Sequence, residues 1–100
     1  MVRSVLVLRA RFGRRGEVTA LFERLGILHE ASTIPGFLGV ELDLSADEPD
    51  ELLVTATWES GTAYEAWLES PVRERMRAPL EELLAEKPTP RVYECLDVLP

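Results

Sequence analysis

The chain has 100 residues, 46% of them hydrophobic, which suits one modest core and a single domain over residues 1–100. Its net charge of −7 repels nucleic acid backbones and anionic lipid, so neither nucleic acid nor a membrane is expected as a partner. No stretch is long and apolar enough to span a bilayer, and the single cysteine, Cys95, has no internal disulfide partner; both point to the cytoplasm.

Val2 to Phe12 alternates and is rich in Val and Leu, which predicts a first strand, with Gly13 to Gly16 as the turn after it. Val18, Leu21, Phe22, Leu25 and Leu28 then recur three or four apart and predict a helix, weakened inside by Gly26 and ended by Pro35-Gly36. Phe37 to Leu44 alternates, with Leu38, Val40, Leu42 and Leu44 on one face and Phe37, Gly39, Glu41 and Asp43 on the other. A polar turn over 45–50 leads to a strand from Leu52 to Glu59, so the pair reads as an antiparallel hairpin.

Thr62 to Glu69 is the next helix, with Ala63, Ala66 and Trp67 expected inside. Ser70-Pro71 breaks it and starts another, with Ser70 as N-cap and Pro71 in the first turn. Val72, Met76, Leu80, Leu83 and Leu84 form that helix's apolar face, and Pro79 predicts a kink or an early end. Lys87-Pro88-Thr89-Pro90 is a rigid connector to a last strand over Arg91 to Leu99. The element order predicts an α+β fold: an antiparallel βαββαβ sheet with its helices packed on one face. Its other face also carries aliphatic side chains, and a second copy of the chain is the simplest cover for it. A domain this small gains from such pairing, because alone it buries a limited share of its surface.

Three segments bear a resemblance at defined positions: Pro35-Gly36-Phe37-Leu38-Gly39, Thr57-Trp58-Glu59-Ser60, and Tyr64-Glu65-Ala66-Trp67-Leu68 followed by Ser70-Pro71. In this order and spacing, from about Val5 to Val98, the chain resembles the antibiotic biosynthesis monooxygenase family. The resemblance implies a ferredoxin-like domain whose homodimer closes two sheets into an α+β barrel. It does not imply one reaction, because members include cofactor-free oxygenases of anthrone-like phenols, quinol oxygenases and haem-degrading enzymes.

The haem-degrading members use an Asn on the first strand, a Trp on the second helical region and a His further on. Trp67 matches the Trp, but the Asn position falls on Arg9 and the His position on Met76 or Arg77. With one of three matched, and with the lone His29 on the first helix, haem binding is the weakest reading. Trp67 reads equally as core packing and as a pocket wall. Arg9 shares a strand face with Val5, Val7 and Arg11. If that face met the helices, Arg9 and Arg77 would be placed to bind a phenolate or enolate; otherwise Arg9 pairs with a carboxylate such as Glu41 or Asp97, or lies at the solvent edge. Tyr64 and Tyr93 are candidate proton donors or acceptors, and no residue stands out as the base.

The expected site therefore comprises Trp67, Arg9 and Tyr64 as catalytic residues, with Met76, Arg77 and Phe22 lining the pocket. No Gly-rich phosphate loop, dinucleotide fingerprint or zinc spacing is present, so no cofactor or metal is expected. The functional expectation is a cofactor-independent monooxygenase that takes dioxygen and a small activated aromatic molecule, anthrone-like or quinol-like. The alternative is a non-catalytic dimeric module that binds a small ligand. Glu81, Glu82 and Glu86 read as a solvated helix face, and Cys95 as a small core residue.

Overall fold

The computed structural model describes residues 1–100. The elements run β1 (Val2–Arg9), α1 (Arg15–Leu25), α2 (Ile27–Ser32), β2 (Phe37–Leu44), β3 (Glu51–Trp58), α3 (Gly61–Leu68), α4 (Pro71–Leu83) and β4 (Arg91–Glu94). The four strands form one antiparallel sheet in the order β2-β3-β1-β4. This is the antiparallel α+β sheet expected from the element order, in the ferredoxin-like arrangement that the family resemblance implies.

Strand register settles which side chains face the helices. Val2, Ser4, Leu6 and Leu8 stand opposite Trp58, Ala56, Val54 and Leu52, and this set forms the inner face. Arg3, Val5, Val7 and Arg9 stand opposite Thr57, Thr55, Leu53 and Glu51 on the outer face. Trp58, Leu8, Leu52, Leu21 and Val18 are the most deeply buried side chains, so the core lies between the inner face and α1 to α4. Every buried residue is apolar or aromatic.

Four local departures from the sequence pattern have physical causes. Gly26 adopts a left-handed conformation with φ 63° and its N–H reaches Glu23 and Phe22 carbonyls, so the first predicted helix is two short ones. A register irregularity between Phe37 and Gly39 turns Phe37 inward, opposite Trp58, and leaves Leu38 half exposed. On α3 the buried set is Ala63, Tyr64 and Trp67, while Ala66 is exposed. The last strand stops at Glu94 rather than Leu99, because β1 begins at Val2 and offers no further partner; the Cys95 N–H bonds Met1 O at 3.0 Å. Leu96, Val98 and Leu99 are consequently exposed, and Cys95 lies outside the core.

The junction that carries α3 is tight. Gly36 has φ +92°, and a Cβ there would stand 2.7 Å from the Ala63 Cβ. Its carbonyl accepts the Glu59 N–H at 2.7 Å, and Ser60 Oγ caps α3 through the Ala63 N–H. The Pro-Gly before β2 thus fixes how closely α3 approaches the sheet. Pro71 opens α4, and Pro79 lies within a helix that continues to Leu83 rather than ending early.

Candidate functional site

The inner face and α3 build an aromatic cluster around Trp58. Its ring meets Phe37 edge-on at 5.8 Å, lies tilted against Tyr64 at 6.2 Å and stacks on Trp67 at 6.4 Å with 26° between planes. The Trp58 indole N–H donates to Ser4 Oγ at 3.1 Å, which satisfies the one polar atom of a fully buried ring. Tyr64 and Trp67 fall on the same buried face of α3 as Ala63.

A small hollow of about 40 Å³ lies beneath this cluster, bounded by Ser4, Leu6, Val54, Trp58, Tyr64 and Trp67. A wider one of about 170 Å³ lies beside it, between α4 and the 87–90 connector, and is lined by Leu68, Met76, Leu80, Leu84, Arg77 and Lys87 among others. Leu6, Arg73 and Pro90 line both hollows, so the two adjoin there. Helix α4 supplies one wall of the wider hollow because residues 73, 76, 77 and 80 recur at helical spacing, with Leu84 just past its end.

The structure brings Trp67, Tyr64, Met76 and Arg77 to this pair of hollows. It does not bring Arg9 or Phe22 there. Arg9 lies on the outer face, where its guanidinium donates to Glu51 at 3.1 Å and Glu86 at 2.9 Å. The face shared with Val5 and Val7 looks away from the helices, and the carboxylates that neutralise Arg9 are neither Glu41 nor Asp97. Phe22 is a core residue of α1 that borders a separate shallow hollow with Thr19, His29 and Leu42. Tyr93 is half exposed on β4 opposite Arg3, also on the outer face.

Two residues escaped the sequence reading. Trp58, read there only as part of the segment from Thr57 to Ser60, also walls the inner hollow. Arg73 stands one residue after buried Val72 and four before Arg77, and this spacing would have placed it on the border of the apolar stripe. Arg77, by contrast, is engaged with Glu74 at 2.9 Å. Among the side chains lining the two hollows, the one carboxylate is Glu81, exposed on the wider one. No imidazole lines either hollow, and no three His, Cys, Asp or Glu side chains converge as a metal site. Met76 and Tyr64 are the side chains at the hollows of a type that can ligate haem iron, and no histidine accompanies them there.

The antibiotic biosynthesis monooxygenase family model matches residues 1–79, a segment that supplies β1, β2, β3 and the aromatic cluster. The chain belongs to that family. Among named relatives, protein SchA of Streptomyces halstedii is 35% identical over 80 residues, 80% of this chain but 20% of that protein. This chain therefore spans about a fifth of such a relative's length. Among solved structures, Rv0793 from Mycobacterium tuberculosis superposes with a TM-score of 0.87 at 24% identity, covering 99% of this chain and 98% of that one. A variant of SnoaB, a cofactor-independent oxygenase from Streptomyces nogalater, gives 0.84 at 20% identity, covering 99% and 96%. At these identities the superpositions establish the shared fold. No helix is long and apolar enough to cross a membrane.

Proposed function

We propose that this domain is a cofactor-independent monooxygenase of an activated aromatic substrate, anthrone-like or quinol-like. The observation that carries the proposal is the aromatic-walled hollow between sheet and helices, joined to a wider one that opens outward. Family membership and the likeness to an oxygenase that works without a cofactor support it.

Size divides the labour between the hollows. The wider one is comparable to cavities that take up a single aromatic ring, so a fused-ring substrate lodges one ring there and extends through the mouth. The inner one admits only molecules of about the size of water or dioxygen. Its walls are mostly apolar, which favours dioxygen over water.

For an anthrone the chemistry balances without an added reductant. The activated methylene loses a proton, and the resulting carbanion, delocalised as a phenolate, supplies the electrons that reduce dioxygen. A carbon–oxygen bond forms and gives a hydroperoxide. Loss of the second methylene hydrogen with cleavage of the oxygen–oxygen bond releases water and leaves a carbonyl. The protein's part is to orient the ring between Met76, Leu80 and Leu84, beside the dioxygen-sized hollow that Trp67 walls, to exclude water and to favour the anion. Tyr64 at the inner hollow and Glu81 at the mouth are the groups placed to receive or return protons.

The outer face carries Val5, Val7 and Leu53 without cover, and the tail exposes Leu96, Val98 and Leu99. A second copy of the chain packed on that face is the proposed assembly.

The test is dioxygen uptake with an anthrone-type phenol, with the quinone product identified. Uptake well above autoxidation, lost when the protein is heat-unfolded, supports the reading; uptake at the autoxidation rate across such phenols and quinols contradicts it. A second reading, a dimeric ligand-binding module without turnover, is favoured by the lack of a carboxylate or imidazole in the inner hollow.

A further inference from the structure

Four ion pairs hold the arginines of the described chain, and they engage Arg9 twice, Arg14 once and Arg77 once. Arg3, Arg11 and Arg15 donate side-chain hydrogen bonds to Thr57 Oγ1, to the Glu82 carbonyl and to the 45–51 turn. Arg24, Arg73, Arg75 and Arg91 have neither an ion-pair partner nor a side-chain hydrogen bond, and of these four Arg73 alone is partly buried and lines both hollows at their junction. An arginine partly buried at a cavity and left without an anion is free to pair with a ligand anion there. The carboxylate nearest in sequence, Glu74, is taken by Arg77.

The surroundings narrow what that ligand is. On one side of Arg73 lie Trp58, Tyr64 and Trp67; on the other lie Met76, Leu80 and Leu84. Lys87 and the Glu74-paired Arg77 are further cations at the wider hollow, against the single carboxylate of Glu81 in its lining. In a chain of net charge −7, a cavity whose lining is net cationic is a local reversal of the overall field. A planar guanidinium flanked by aromatic and aliphatic walls is suited to a carboxylate or phenolate borne on a flat ring, gripped by paired N–H donors while the ring stacks.

We propose that Arg73 is the specificity-determining residue of this site and selects an aromatic substrate that carries an anionic group. The inference rests on the proposed oxygenase reading for its chemistry, but the binding it asserts can be read without turnover. With the anion held at the junction, the reacting ring carbon lies beside the inner hollow. Arg73 takes the place that the outward-facing, doubly paired Arg9 does not fill.

The experiment measures quenching of tryptophan fluorescence with dioxygen excluded. Two probes are titrated: anthraquinone-2-carboxylate and its neutral 2-hydroxymethyl counterpart. The wild-type protein, Arg73→Gln, Arg73→Lys and Arg75→Gln are compared. Arg75 lies on the same helix, is exposed, and lines neither hollow, so its replacement removes the same charge without touching the site. The expected result is preferential binding of the carboxylate by the wild type, a loss of about tenfold or more in Arg73→Gln, and partial recovery in Arg73→Lys. The neutral probe and Arg75→Gln should show changes of about twofold or less. Equal loss for both probes in Arg73→Gln would assign Arg73 a packing role and overturn the proposal. So would an unchanged affinity for the carboxylate, or a wild type that binds neither probe or prefers the neutral one. Charge-selective binding without dioxygen uptake would retain the inference and refute only the oxygenase reading.

Discussion

The two faces of the sheet are cut from the same strands, yet they hold different kinds of residue in different states. The inner face gathers Leu8, Leu52, Ala56 and Trp58 into the core and adds the aromatic walls of the cavity. The outer face alternates Val5, Val7 and Leu53 with Arg3, Arg9, Glu41, Asp43 and Glu51. Their arginines sharpen the contrast. Arg9 on the outer face is neutralised by two carboxylates, whereas Arg73, which meets the inner face from α4, has none. The two are the same residue type, and what differs is the carboxylates beside Arg9 and the cavity beside Arg73.

Substitutions at the inner face should have the largest effects. Trp58→Ala removes a fully buried ring with three aromatic neighbours and an indole hydrogen bond, and is expected to cost about 3–5 kcal/mol in urea unfolding. A loss below about 1 kcal/mol would mean that the cluster is not the keystone of the core. Next comes Gly36→Ala, which sets a methyl group against Ala63 at a left-handed backbone position; about 1–3 kcal/mol is expected, with α3 displaced from the sheet. Near-ultraviolet circular dichroism, which follows the packing of Trp67 and Trp58, would report that displacement.

Outer-face changes should be smaller. Arg9→Gln breaks two exposed bridges and should cost less than about 1 kcal/mol in the same unfolding assay. The smallest effect belongs to Glu41, whose carboxyl is raised above its usual range by its hydrogen bond with Asp43 and then by the charge of Asp43. Because its pKa is raised in the folded state, folding takes up protons there, and stability is gained as pH falls through that pKa. Glu41→Gln should therefore raise Tm by a few degrees or less at neutral pH, and the gain should fade on acidification. Arg14 shifts Glu17 the other way, through its hydrogen bond first, so that pair stabilises above the usual Glu range and is lost as pH falls through the lowered value.

Most of the architecture was legible because alternation and helical spacing are local. The limits of β2 match the sequence pattern, and the Ser70-Pro71 break is where α4 begins. What was not legible depended on partners distant in the chain. The inward turn of Phe37 follows from the irregular pairing with β3, and the short β4 from the point where β1 starts. The site divided in the same way. Trp67 and Tyr64 could be picked out on their helix, but Arg9 could not be placed until the register showed which face of β1 meets the helices. Arg73 was passed over because a charged residue bordering an apolar stripe usually reaches solvent, and only the cavity shows that this one does not fully do so.

The central claim is that activity belongs to the inner side of the sheet. It is tested most directly by dioxygen uptake with an anthrone-type phenol, comparing the native protein with Trp67→Phe and Arg9→Gln. The account predicts a fall of about tenfold or more for Trp67→Phe, since it alters the wall of the hollow that takes dioxygen beside the reacting ring, and a change of about twofold or less for Arg9→Gln. The reverse order, a collapse with Arg9→Gln while Trp67→Phe turns over normally, would place the chemistry on the outer face and contradict it.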